Sequence, residues 1–568
     1  MALDRKQEQA SFDQLPQLPV SGGWSAVLHG SEKTEFERLL PQFLMQRRWF
    51  GGKGRKISAV SIAESVPIPH DNTTSYLALL DVRYEEGTSE MYLLGLSFVI
   101  SRDAASVLRS DRNAALLYVT SQDGEGIVYD AVRDRGFVMA LLDSIDRETT
   151  FSSDEAEIAA SRTEKFEELV AHMNDAPPRV MGAEQSNTSI VFGEKLIMKL
   201  FRRVESGLNP DLEIGRFLTE HGFFNTPPVA GAIEMSPPAD DEEPRTIGIL
   251  QGFVPNKGDA WKYTLEQLDT TLKKALDHKN EIAALPIPYL PLLELADQKP
   301  PALFIELAGD YLQSVRLLGQ RTAELHVTLD SDDHQQAFAP EQFSPEYQRS
   351  VYNSMRRLAN TVFGMLRSYV HTLAESARGE AQKLLSREQE LNEAYKIVVN
   401  WVFDAERTRI HGDYHLGQVL YTGGDFVIID FEGEPMRSIS ERRVKVSPLR
   451  DVAGMLRSFD YASHTGVSNS GTSGDNHDLL RRFSRVWVAW VSATFLSAYM
   501  NTAKQAPFMP SDKQETATML DIFLLDKAVY EIGYELNNRP TWVNIPITGI
   551  LQILDTRHRQ LGDKRRVA

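Results

Sequence analysis

The chain has 568 residues, 42% hydrophobic and 25% charged, a net charge of −18 and no cysteine. That length exceeds what one core fills, so at least two lobes are expected, with the composition of a soluble globular enzyme. The negative charge excludes nucleic acid and membrane surfaces as expected partners, and the lack of cysteine excludes disulfides and thiolate chemistry and fits a cytoplasmic protein.

Residues 1–30 are polar and proline-containing and are expected to be poorly ordered or an extension, with no apolar centre for a signal peptide. From Phe36, helical spacing in EFERLLPQFLMQRRWF precedes alternating segments at Ile57 to Ile62, Tyr76 to Tyr84 and Met91 to Ile100. RDAASVLRSDRNAALL breaks the alternation and GIVYDAVRD resumes it, which predicts a small β-rich subdomain with a covering helix over residues 31–150. RRWFGGKGRK lacks P-loop spacing and reads as a tight turn. Ser153 to Met173 reads as an acidic, helical connection.

Residues 151–262 read as a second unit. SNTSIVFGEKLIMKLFRR predicts a hairpin turning at Gly193 and Glu194, and NPDLEIGRFLTEHGF a helix starting at Asn209, with Pro210 in its first turn and Gly222 at its end. TIGILQGFVPNKGDAW supplies another strand and an exit loop, and SPPADDEEP is a surface insertion. Residues 263–568 are mainly helical, with a β segment embedded in them. The apolar stretch Val486 to Met500 is too short for a membrane span and reads as a buried helix. SDDHQQAFAPEQFSPEYQ and HTGVSNSGTSGDNH read as the long loops of this half.

The embedded segment, RIHGDYHLGQVLYTGGDFVIIDFEGEP from Arg409 to Pro435, is the most informative. Asp413 lies in a His-Gly-Asp-x-His turn, Gln418 follows five residues on, and Asp430 ends the strand FVIID after the turn at Gly423 and Gly424. A hairpin bringing Gln418 and Asp430 together sets an amide oxygen and a carboxylate beside one divalent ion, with Asp413 nearby to orient and deprotonate an acceptor hydroxyl. The competing reading is a metallohydrolase, with His411, Asp413 and His415 on Zn²⁺ or Mn²⁺.

A kinase also needs a cation for the nucleotide. Lys199 ends the apolar run KLIMK, and Glu213 stands fourteen residues on in the predicted helix, as in the strand-lysine and helix-glutamate pair of protein kinases. No G-x-G-x-x-G precedes Lys199; EQSNTS stands there, so Ser186, Asn187, Thr188 and Ser189 are the candidates to cover phosphates.

HGDYHLGQVL with IIDFEGEP resembles the catalytic and metal-binding segments of aminoglycoside-phosphotransferase-like kinases. QRRWFGGKGRKI, SNTSIVFGEKLIMKLFRRVESGLNPDLEIGRFL, SPLRDVAGMLRSFDYA and YEIGYELNNRPTWVNIPITGIL narrow the resemblance to bacterial maltokinases, over roughly residues 36 to 555. It implies an α+β, bilobal, eukaryotic-protein-kinase-like fold with an N-terminal β-rich cap subdomain and a mainly helical C-lobe. It further implies ATP- and Mg²⁺-dependent phosphorylation of maltose at its anomeric hydroxyl, giving maltose 1-phosphate for α-glucan synthesis. Trehalose synthase, fused or in complex, is the implied protein partner. Asp413 would be the base, Gln418 and Asp430 the metal ligands, Lys199 and Glu213 the phosphate-binding pair, and Gln251 to Val254, with Phe253 and Val254, the hinge receiving adenine. Gln418 replaces the asparagine of most of the wider superfamily. Against the family pattern, 265–300 and 330–395 are insertions. Alternative functions are a kinase of another small or amino sugar, such as glucosamine, and a non-catalytic assembly module for trehalose synthase.

Beyond Asp430, Glu432 is a further candidate for the metal shell, and Glu434 and Arg437 are candidates for sugar hydroxyls, as is His411. In FLLDKAVYEIGYELNNRPTWV, Lys527, Glu531, Glu535 and Asn538 recur on one helical face, and Tyr530, Tyr534 and Asn537 on the adjacent one. That mixture of polar and aromatic groups suits a sugar, so Tyr530, Glu531, Asn538 and Trp542 are substrate candidates. Asp451, at a predicted helix start, is expected to brace the catalytic loop through backbone hydrogen bonds.

Overall fold

Alternation of apolar and polar residues between Ile57 and Asp130 builds one sheet. The structure, a computed structural model, describes residues 14–154, 156–171, 176–182, 186–236, 243–288 and 290–567. In spatial order the strands are Gln17–Pro19, Ala115–Ser121, Gly124–Asp130, Glu90–Ile100, Thr73–Tyr84 and Ile57–His70, and Arg203–Val204 returns from later in the chain to pair with Glu90–Ile100. Helix Lys33–Met45 buries Phe36, Leu40, Phe43 and Leu44, a stripe at helical spacing, in one core with Val60, Ile62, Leu80 and Leu94. The stretch that interrupts the alternation is helix Ser101–Ser110.

The expectation of disorder before residue 31 is corrected for the described part. Gln17–Pro19 lies parallel to Ala115–Ser121, and Leu18, Val20, Trp24, Val27 and Leu28 are buried in the same core. These few apolar side chains, spread among prolines and polar residues, are enough to dock the segment; residues 1–13 lie outside the described residues.

A second sheet runs Thr150–Ser152, Glu157–Arg162, Val229–Ser236, Arg245–Gly252, Leu196–Phe201, Asn187–Phe192 and Arg179–Val180. The expected helix over Ser153 to Met173 is therefore replaced in part by a strand. Ile158 and Ala160 are buried at period two on Glu157–Arg162, and only Lys165–Val170 is helical; residues 155, 172 and 173 lie outside the described residues. The predicted hairpin forms, with Gly193 and Glu194 both left-handed and Lys195 N–H donating to Phe192 O at 3.0 Å. Asn209 caps helix Pro210–Glu220 by accepting from Asp211 N–H at 2.9 Å. Most of SPPADDEEP, residues 237–242, lies outside the described residues.

Helix Arg135–Arg147 is the glue between the sheets: Phe137, Leu141 and Ile145 share one core with Ile68 and Leu77 of the first and with Ile158, Met198 and Ile233 of the second. Arg202, almost fully buried, adds a polar tie, binding Asp130 Oδ2 at 2.7 Å and Thr188 Oγ1 at 2.8 Å.

The chain divides into two units. One comprises the chain to Thr219 with Pro227–Pro255 and Ser438–Ser440, and holds both sheets; the other comprises Glu220–Thr226, Asn256–Arg437 and Glu441 onward. The second is helical apart from two short β pairs, one of which is the hairpin Val419–Tyr421 with Phe426–Ile428. Its centre is helix Gly474–Thr502, whose apolar stretch buries Trp487, Val491, Phe495 and Tyr499. Helix Ala302–Leu329 crosses it closely enough that a Cβ at Gly319 would stand 2.3 Å from Phe495 O. The insertion at 265–300 belongs to this packing: helix Ala260–Asp277 buries Leu268 and Leu272. The 330–395 insertion forms helices Pro345–Tyr369, Glu375–Ser386 and Glu388–Tyr395. HTGVSNSGTSGDNH is not a long loop: helix Leu449–Asn469 runs into it and the next begins at Gly474. Its small polar residues are tolerated because most face solvent. No helix of the described residues is long and apolar enough to cross a membrane.

Candidate active site

The His-Gly-Asp segment is held from behind by a buried carboxylate. Asp451, in the first turn of helix Leu449–Asn469, accepts from His411 N–H at 2.8 Å and Gly412 N–H at 3.0 Å. Its Oδ2 also takes a proton contact from His326 Nε2 at 3.1 Å, while His326 Nδ1 meets the Tyr499 hydroxyl at 2.9 Å. Burial opposes the Asp451 charge, but His326 and the backbone donors outweigh it and hold its carboxyl below the usual range. The expected bracing role of Asp451 matches this geometry. The same helix presses on the loop, since a Cβ at Gly454 would stand 2.6 Å from Tyr414 O, and Tyr414 OH meets Thr322 Oγ1 at 2.8 Å.

Asp413, half-buried, leaves this clamp with its carboxylate 3.4 Å from Lys527 Nζ. Gln418 and Asp430 are brought side by side by the hairpin, Gln418 Nε2 donating to Asp430 Oδ2 at 2.8 Å. The hairpin's turn is pinned by Arg321, whose fork grips Asp425 at 2.9 and 2.7 Å. Asp430 adopts a left-handed backbone with φ of 69°, a conformation that costs a non-glycine residue energy and clusters at functional sites. Glu432 follows, its carbonyl accepting from Arg442 at 3.1 Å.

His411 contacts Ile429 O through Nε2 at 2.9 Å and takes the Asp413 N–H on Nδ1 at 3.4 Å. With both nitrogens engaged and the residue 1% exposed, it braces the strand leading to Asp430, which leaves its ring little to offer a metal or a sugar. His415 accepts from Gly417 N–H at 3.0 Å, and burial lowers its pKa. No histidine-containing group converges as a metal site among the described residues, so the metallohydrolase arrangement does not fit.

Glu434 is 5% exposed and forms a 2.6 Å ion pair with Arg437, with Lys527 3.4 Å away on its other side. Burial opposes its charge, but Lys527, Arg450 and Arg437 hold its carboxyl below the ordinary range. Lys527 also lies 4.9 Å from the Tyr530 ring centre. Glu531, proposed for sugar contact, is instead buried against Arg457 at 2.7 and 2.9 Å, and Glu535 is bound by Tyr461 and Arg539. Asn538 donates to Tyr534 O at 2.9 Å, and Trp542 stacks on Tyr461 at 6.1 Å with Arg539 over it. Helical spacing grouped these residues correctly, but the packing partners turn most of them into structure.

In the other unit, Ser189 is the register partner of Lys199 on the hairpin. Alternation puts Asn187, Ser189 and Lys199 on one face and Thr188 with Arg202 on the opposite one. Thr188, expected to cover phosphates, therefore spends its hydroxyl on Arg202, and Ser186 precedes the strand. Lys199 forms its 3.0 Å ion pair with Asp211, two residues ahead of the expected Glu213, which is also buried. Asp211 sits in the capped first turn of the helix, a position set by Asn209 that the sequence spacing alone did not single out. Gln251 ends in register with Ile197, and Phe253 N–H donates to Lys195 O at 2.7 Å, with Val254 next, half-buried.

A strand lysine paired to a helix carboxylate in one unit, and an aspartate loop followed by a β-hairpin ending in a strained aspartate in the other, are the groups that phosphoryl transfer of the protein-kinase-like kind calls for. The chain superposes on a glucosamine kinase solved with glucosamine, ADP and inorganic phosphate, with a TM-score of 0.60 at 16% identity, covering 94% of this chain and all of that one. Residues 43–134 match the maltokinase N-terminal cap domain. The chain thus shares the fold of a glucosamine kinase, and its residues 43–134 are similar to the maltokinase N-terminal cap. A glucosamine kinase of Mycolicibacterium smegmatis is 24% identical over 464 residues, 79% of this chain and 95% of that protein. Another, from Streptacidiphilus jiangxiensis, is 27% identical over 148 residues, which is 26% of this chain and spans only 32% of that protein.

Proposed function

We propose that this chain transfers the γ-phosphoryl group of ATP to the anomeric hydroxyl of maltose, giving maltose 1-phosphate. The observation that carries the kinase half is the juxtaposition of Gln418 and Asp430 beside a loop that Asp451 clamps. The cap type supports maltose as the acceptor.

In this reading Asp413 orients the acceptor hydroxyl and takes its proton as the bond to phosphorus forms. Lys199, oriented by Asp211 and with Glu213 on the same helix as that partner, holds nucleotide phosphate, with Ser186, Asn187 and Ser189 as the candidates to cover it. Gln251, Phe253 and Val254 receive the adenine. The oxygen donors Gln418, Asp430 and Glu432 suit Mg²⁺, a hard cation content with few protein ligands, and Mg²⁺ would neutralise phosphate charge there. For Gln418 this needs only a turn of its amide to present oxygen. The product would feed α-glucan synthesis, with trehalose synthase as supplier of maltose.

An amino sugar is the second reading, favoured by the relatives named glucosamine kinase. Phosphorus NMR on the protein with ATP, Mg²⁺ and maltose, glucose, glucosamine or no sugar separates the two. An anomeric-phosphate resonance that is strongest with maltose is expected; phosphorylation of glucosamine alone would discard maltose and keep the kinase.

A further inference from the structure

The acceptor side of the catalytic aspartate is not an open acidic surface. Lys527, on helix Lys513–Asn538, stands 3.4 Å from Asp413 Oδ1 and 3.4 Å from Glu434 Oε1. Glu434 is already committed to Arg437 at 2.6 Å. The lysine is largely buried, and although burial works against its charge, Asp413, Glu434 and Glu531 raise its pKa, so it is an ammonium across the physiological range. It was grouped with sugar-contact candidates by spacing alone, 114 residues from the aspartate it meets.

We propose that Lys527 is a positioning and specificity residue: it fixes the Asp413 carboxylate toward the acceptor and restricts that acceptor to sugars with a neutral group beside the reacting hydroxyl. The inference rests on the kinase reading above and deepens it by naming the substrate class. A hydroxyl bonded to Asp413 lies within about 3 Å of its carboxylate, so a substituent on the next carbon comes within roughly 6 Å of the Lys527 ammonium. A hydroxyl there is neutral and meets no repulsion from the lysine. A protonated amine there meets a like charge, and the carboxylates that would have welcomed it are already paired. Two positive charges at that separation in a half-buried site cost on the order of a hundredfold in kcat/KM.

The test compares glucose with glucosamine, which differ by that one substituent, with maltose as reference, on the full chain at neutral pH. The unmodified protein is expected to favour glucose over glucosamine by about a hundredfold. Lys527→Met is expected to lower kcat for maltose by ten- to a hundredfold with a smaller change in KM, because the base loses its orientation. The same substitution should raise the glucosamine-to-glucose ratio of kcat/KM at least tenfold, and Lys527→Arg should leave that ratio unchanged. A merely structural lysine would lower both sugars in parallel. An unchanged ratio in Lys527→Met, or an unmodified protein that prefers glucosamine, overturns the proposal while leaving the kinase reading intact; no transfer to any sugar overturns both. Should Lys527→Met fail to fold, Lys527→Gln and the unmodified protein's own ratio decide.

Discussion

At the scale of single residues the structure separates side chains committed to packing partners from those placed to meet a ligand. With Asp413 as the proposed base, Asp413→Asn would remove the acceptor's proton sink while keeping shape, so turnover should fall by at least about a thousandfold with little change in melting temperature, as measured by steady-state kinetics and calorimetry. Asp330, at the C-terminal end of helix Ala302–Leu329, carries a buried Oδ1 with no hydrogen-bond partner among the described residues. Burial, with Glu406 adding to it, pushes its carboxyl up to about 7. A carboxyl whose folded pKa is raised favours the fold most below the unfolded value of about 4, and that contribution is lost as pH rises through 7. Asp330→Asn should therefore flatten stability between pH 4 and 8 and melt higher than the parent at pH 8; equal melting of the two proteins at pH 8 would contradict this. The pairing of Gln418 with Asp430 was legible in the sequence because a turn and a strand fix it locally. Others were not: Lys199 chooses Asp211 because of where Asn209 starts the helix, and Lys527 reaches Asp413 only through packing of distant helices.

At the scale of elements, helix Leu449–Asn469 is the frame of the His411–Tyr414 loop. Gly454 lets its backbone approach Tyr414 O, and any side chain there must push loop or helix away. Gly454→Ala is expected to cost about 1–3 kcal/mol of stability and to lower kcat more than KM, because it displaces the segment carrying Asp413. Denaturant melts beside initial rates would read both, and a fully active variant of parental stability would show that the contact is slack. Element boundaries were legible where periodicity was undiluted, as in the hairpin at Gly193 and Glu194 and the helix from Pro210. They were hidden where composition misled: Glu157–Arg162 reads as acidic and helical because only Ile158 and Ala160 reveal its buried face, and the polar run after His464 continues a helix instead of breaking it.

At the scale of the whole molecule, the division into a β-rich and a helical unit followed from chain length and from where alternation gives way to helical spacing. What the sequence did not reveal is how the first sheet is assembled. Its strand order draws in Gln17–Pro19 from before the matched cap and Arg203–Val204 from well after it, and helix Lys33–Met45, which covers its core, begins ahead of residue 43. Residues 43–134 expressed alone are expected to aggregate or give a poorly dispersed amide spectrum, whereas residues 14–255 should give a dispersed one. The stretch that matches the maltokinase cap domain is thus narrower than the sheet it belongs to. Shuffling caps among relatives would have to move three separated tracts of gene together, so this cap is expected to travel through evolution, or through a cloning vector, only in company with the hairpin behind it.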